Sequence, residues 1–221
     1  LKVQNDGTPV KFVAYYPYNA DVRNFNYPVQ LAAQERGSTA CDLLYAATKE
    51  EYTYSPENEP HISLNFTHRL AKVILKFVNM EKEPLEVSDV RIEGMQTAAS
   101  FNIQTDVLTV DESSVATINP YHNATTGFYE AIILPSALTD SYKVSFVLDD
   151  REKEWIFTNL DIALPQFHKG YSYTFALYID DSGFVEMGRL ENVEGGNSSA
   201  PWEDGSSEDG TAEGDKTPVS G

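Results

Sequence analysis

Along much of this chain every second residue is apolar. In "GYSYTFALYID" the set Tyr171, Tyr173, Phe175, Leu177 and Ile179 alternates with Ser172, Thr174 and Ala176. "YKVSFVLDD" aligns Tyr142, Val144, Phe146 and Leu148. "AKVILKF" aligns Val73, Leu75 and Phe77 against Lys72 and Lys76, and "ISLNF" aligns Ile62, Leu64 and Phe66. "GFYEAIILP" and "EWIF" repeat the pattern more weakly. Successive side chains of a strand point to opposite faces, so this pattern predicts half-buried antiparallel strands with one face on a core. Turn-forming stretches separate them: "NMEKEP", "DDREKE", "DDSG" and the Pro135-Ser136 break. One short helix is expected, "VQLAAQERG" (29–37), ending at a glycine suited to a C-cap. Strands at this spacing with almost no helix predict an all-β fold of one or two β-sandwiches.

Near the start, "PVKFVAYYPY" reads as another strand. Val10, Phe12, Ala14 and Tyr16 share one side, and Lys11, Val13 and Tyr15 the other. Only nine residues precede it, and nothing earlier is expected to pair with it or cover it. The polar "YSPENEP" (54–60) marks a boundary between a loop-rich, aromatic-rich segment and a regular succession of strands. The expected division is therefore an N-terminal sandwich remnant over 1–58, a sandwich over 59–193 and a tail over 194–221. That tail is rich in glycine, serine and acids and holds few apolar residues, so it is expected to stay disordered.

Charge removes several function classes. Sixteen basic residues stand against thirty-four acidic ones, a formal charge of −18 over 221 residues. Such a surface repels nucleic-acid backbones and anionic lipid alike. The longest apolar runs, such as "FVAYY" and "FALYI", are five residues, too short for a transmembrane helix. The single cysteine, Cys41, can form no intramolecular disulfide and reads as a small buried apolar residue. His61, His68, His122 and His168 stand at no ligand spacing, so no metal site is expected. His68, in "NFTHRLAKV", reads as a structural histidine. No nucleophile elbow, phosphate loop, dinucleotide fingerprint or zinc-protease motif occurs, and no catalytic residue or cofactor is predicted. The acids of "DDREKE" and "YIDDSG" read as solvated hairpin ends rather than calcium loops. Sequons at Asn65, Asn123 and Asn197 are short patterns of little weight in so polar a chain.

Several phrases in order resemble the fimbrillin family of Bacteroidales, the Mfa-like subunits of type V pili. They are "FVAYYPY" (12–18), "DLLYA" (42–46), "LNFTHRLAKVILKF" (64–77), "GFYEAIILP" (127–135) and "LPQFHKGYSYTFALYID" (164–180), with a late Trp202. The resemblance implies two tandem transthyretin-like antiparallel β-sandwiches, the first incomplete, because the "AYYPY" strand of that family lies well inside the N-terminal domain. It implies export as a lipoprotein, residence in a cell-surface fimbrium at the outer membrane, and trimming of an N-terminal segment. The partners would be other fimbrillin subunits, joined by donor-strand exchange. Val10, Phe12, Ala14 and Tyr16 would then line an assembly groove. Phe184, Val185, Met187 and Leu190 of "FVEMGRLENV" (184–193) would supply a donor strand or close their own domain. The alternative is a surface lipoprotein or tip adhesin that binds glycans or host proteins through aromatics in loops such as "YNADVRNFNY" (18–27). A hydrolase with dispersed carboxylates is a further rival, which no motif favours.

Overall fold

The computed structural model describes residues 7–34, 41–53, 61–80, 86–158, 164–179, 189–190 and 199–201, the last two stretches as backbone alone. The described residues are all β, with no helix among them. Among the described residues seventeen strands run in chain order, and two apolar cores organise them.

The first core lies between two sheets. Its larger sheet has the order β16-β15-β5-β10-β9: β16 (Arg189–Leu190), β15 (Tyr171–Ile179), β5 (Ala71–Asn79), β10 (Phe128–Ile133) and β9 (Tyr121–Asn123), with β17 (Ser199–Pro201) also pairing β15. Facing it is β13 (Arg151–Ile156), β12 (Lys143–Leu148) and β6 (Val87–Glu93), in that order. The alternating sets meet as expected: Val73, Leu75, Val144, Phe146, Tyr173, Phe175 and Leu177 are all buried in this core. A ring cluster of Trp155, Phe157, Phe167, Tyr173 and Phe175, with neighbouring centroids 5.0–6.3 Å apart and mostly edge-to-face, fills one part of it. Phe167 belongs to β14 (Gln166–Phe167), which pairs β11 (Ser136–Ala137) in a two-stranded ribbon. The "DD" turn before β13 places Asp149 and Asp150 at φ 49° and 61°, the left-handed conformation a two-residue hairpin needs.

The second core lies between two three-stranded sheets. One is β1 (Val13–Tyr16), β3 (Leu44–Ala47) and β4 (Thr67–His68); the other is β2 (Asn26–Gln30), β7 (Ala98–Asn102) and β8 (Val107–Val110). Edge-to-face contacts cross between them, Tyr15 to Tyr27 at 5.6 Å and Tyr45 to Phe101 at 5.3 Å. Arg69 ties the layers at one end. Its guanidinium lies 4.8 Å from the centre of the Tyr45 ring, and its Nη2 donates to Asp106 Oδ2 at 3.0 Å in the β7–β8 turn.

Four departures from the sequence reading follow. Over the described part of the expected helix (29–37) the chain forms β2 and a bent segment through Gln34, because Tyr27, Val29 and Leu31 also fit a period of two and bury together in the second core; 35–37 lie outside the described residues. "ISLNF" alternates in exposure only through Asn65, Phe66 being exposed, and forms no ladder before β4, having no strand beside it among the described residues. β15 runs parallel to β5 over Ser172–Ile179, where only antiparallel pairing was expected. Ser199–Pro201, placed in the disordered tail, pairs with Tyr171–Tyr173 along the stretch of β15 that β16 leaves open.

The expected division at 58/59 does not coincide with the cores. β2 pairs β7 over Asn26–Gln30, and the second core combines Tyr27 to Tyr45 with Leu70, Ala99, Phe101, Ile103, Ile132 and Leu134. One buried side chain joins the two regions. Gln34 Oε1 accepts from Ile132 N at 2.7 Å, while its Nε2 donates to Ile132 O at 2.6 Å and to Leu31 O at 2.8 Å. Beyond Glu130, β10 has no β9 residue opposite it, so the Gln34 amide takes the place of the missing strand. Gln34→Leu should lower stability by about 3 kcal/mol or more, the penalty of three backbone groups, Ile132 N, Ile132 O and Leu31 O, left without the amide. Urea denaturation checks this, and a change below about 0.5 kcal/mol would mean the amide is dispensable.

Candidate assembly edge

β1 exists because its aromatic and small side chains fit a pleated surface, and its partner comes from later in the chain. It pairs β3 from Val13↔Ala47 to Tyr16↔Leu44. Thr48 N donates to Phe12 O at 2.9 Å, and Phe12 N donates to Thr48 Oγ1 at 3.1 Å. In an antiparallel ladder hydrogen-bonded pairs alternate with open ones. The amides and carbonyls of Val13 and Tyr15 therefore point away from β3. No strand lies on that side of β1 among the described residues.

The two faces of β1 differ. Tyr15 packs against the second core beside Tyr27. Tyr16, on the other face, is 56% exposed. Directly paired residues share a face, so Ala14 and Tyr16 lie with Ala46 and Leu44 on the face opposite Tyr15, where Ala46 is buried and Tyr16 exposed. Phe66, just before β4, joins them by alternation and is 46% exposed. Val10 is half-buried and bridges Tyr52 through two 2.9 Å backbone bonds; Phe12 is half-buried and meets the Tyr52 ring edge-on. Val10, Phe12, Ala14 and Tyr16, the expected assembly groove, follow one another along a single strand-like path, and of the four Tyr16 alone is exposed. On the same face His68, opposite Leu44, is buried and pairs with Asp42, its Nδ1 3.0 and 2.8 Å from the two carboxylate oxygens, which holds β4 against the segment entering β3.

Other edges carry guards. β13 is lined by Arg151, Glu152, Lys153 and Glu154; β2 contains Pro28; β8 is bracketed by Asp106 and Asp111. Charges and proline discourage strand addition; β1 itself holds neither, with Pro17 just after it and Lys11 two residues before it. Leu190 lies in β16, opposite Phe175 of its own chain. Phe184, Val185, Met187 and Trp202 lie outside the described residues. Cys41 packs partly against the second core, and burial pushes its thiol pKa up. Among the described residues no group of three or more His, Cys, Asp or Glu could hold a metal ion. The partnership of β1 with β3 and the exposure of Phe66 were missed from sequence, since about thirty residues separate the two strands and no local signal joins them.

This geometry defines a β-sandwich protein with an unguarded strand edge beside an apolar sheet face. The chain belongs to the fimbrillin-like family, whose model matches residues 3–202. Two crystal structures share the fold. A candidate cell adhesion protein from Bacteroides uniformis superposes with a TM-score of 0.69 at 23% identity, over 82% of this chain and 72% of that one. A second candidate cell adhesion protein, from Bacteroides ovatus, gives 0.62 at 16% identity, over 82% and 69%. No curated protein matches.

The inward and outward faces of this sheet should respond oppositely to truncation. Phe101→Ala, which empties the second core behind β3, should cost about 3–5 kcal/mol. Tyr16→Ser and Phe66→Ser should each stay within about 0.5 kcal/mol of the parent. Chemical denaturation of the three variants checks the assignment; a large loss for Tyr16→Ser would place that ring in a core.

Proposed function

We propose that this chain is a structural subunit of a cell-surface pilus, without enzymatic activity, exported as a lipoprotein precursor to the outer membrane and assembled by donor-strand exchange with other fimbrillin-like subunits. The observation that carries the reading is the open side of β1, where Val13 and Tyr15 direct backbone groups outward beside the exposed rings of Tyr16 and Phe66. An incoming strand would satisfy those backbone groups and lay alternate side chains against that face. Each large side chain fully buried contributes about 1.5–3 kcal/mol. Four or five of them, with the new backbone bonds, offset much of the cost of ordering about ten residues. Phe184, Val185, Met187 and Leu190 remain the proposed donor or closing segment, and the pairing of Leu190 with β15 supports the closing role.

Proline scanning along β1 tests the reading. Val13→Pro removes an amide that faces away from β3, so the monomer should keep its stability to within about 1 kcal/mol. The trimmed precursor should then fail to form SDS-resistant ladders. Ala14→Pro removes a ladder amide and should destabilise the monomer itself. If Val13→Pro leaves ladder formation intact, strand addition at β1 is wrong.

A further inference from the structure

We propose that the hairpin tip Arg23–Asn26 is a carbohydrate-binding site in which the Phe25 ring is the platform for a neutral sugar. The tip is closed by paired backbone bonds, Arg23 N to Asn26 O at 3.2 Å and Asn26 N to Arg23 O at 2.9 Å. Its two central residues, Asn24 and Phe25, sit at φ 49° and 64°. Asn tolerates that left-handed conformation and Gly prefers it; a bulky aromatic does not. The strain does not place the ring in a core, for Phe25 is 56% exposed and belongs to neither apolar cluster. A strained backbone that displays an aromatic ring to solvent points to a contact role.

The tip is held rigidly for such a role. Ile103 N donates to Phe25 O at 2.8 Å, which fixes the turn to the end of β7. Arg23 Nη1 donates to the carbonyls of Ala20 and Val22 at 2.5 and 2.9 Å. Asn19 Oδ1 accepts from Asp21 N at 2.8 Å, and the Asn19 side chain hydrogen-bonds the Tyr27 hydroxyl. The same loop exposes Tyr18 at 82%.

The surroundings choose the ligand class. A protein partner would need a contiguous apolar patch, and the residues flanking Phe25 are Asn24, Asn26, Arg23 and Asp21. A pyranose needs one ring against its C–H face and hydrogen-bonding groups around its hydroxyl rim. The exposed Asn24 amide and Asp21 carboxylate have no partner among the described residues and can serve that rim. The net charge of −18 disfavours sialylated or sulfated glycans. This site is separate from the β1 edge and stands or falls independently of assembly.

The test is an array of neutral and acidic oligosaccharides probed with the unassembled chain and with Phe25→Gly and Phe25→Asn, alongside their thermal melts. Both variants suit the left-handed backbone, so their Tm should lie within about 2 °C of the parent or above it. Each should bind neutral glycans at least about tenfold more weakly. Three results would overturn the proposal: an array blank for the parent, glycan retention unchanged in both variants, or a Tm fall of many degrees in both, which would make the ring a packing residue.

Discussion

Ile132 and Ile133 are adjacent in the chain and buried in different cores, and the rest of the molecule depends on that arrangement. Ala131 and Ile133 point into the first core, Ile132 and Leu134 into the second. Leu70 and Ala71 divide the same way at the start of β5. A strand has two faces, and here both are spent on apolar packing, so β10 is the shared wall of two sandwiches. Where β9 stops, Gln34 supplies the hydrogen bonds that a neighbouring strand would give. The second core is therefore anchored on the first, and the small sheet that carries β1 is anchored on the second.

That hierarchy leaves two large rings of the small sheet outside both cores. Tyr15 and Tyr45 face the second core, while Tyr16 and Phe66 face solvent. The first core's outer sheet takes the opposite course. Arg91, Glu93, Lys143, Glu152 and Glu154 form cross-strand ion pairs over β6, β12 and β13, a polar covering that resists strand addition and adds little stability by itself. The contrast between a guarded and an unguarded sheet within one chain is the physical basis of the assembly reading.

Much of the first core was legible because its signal is local. Val73, Leu75, Val144, Phe146, Phe175 and Leu177 announce their face by alternation within single strands. The "DD" turn likewise announced a hairpin. What was not legible is non-local. Nothing in "NYPVQ" says that it pairs with "AASFN" seventy residues later, and the helix-like spacing of Val29 to Ala33 competes with the strand pattern that tertiary contacts select. β1 was recognised as a strand with Tyr15 and Tyr16 on opposite faces, yet which face meets a core was not legible, since both carry aromatics and only the partner strand decides between them. The strain at Phe25 has no sequence signature beyond an aromatic where a hairpin turn would favour glycine.

Backbone hydrogen exchange at Val13 and Tyr15 probes the central idea most directly, because those two amides face the open side of β1. In the isolated chain they should exchange fast while the Ala14 amide, bonded within the ladder to β3, is protected. After assembly with fimbrillin-like subunits, Val13 and Tyr15 should become as slow as Ala14. Fast exchange persisting at both positions in the assembled material would contradict strand addition at this edge.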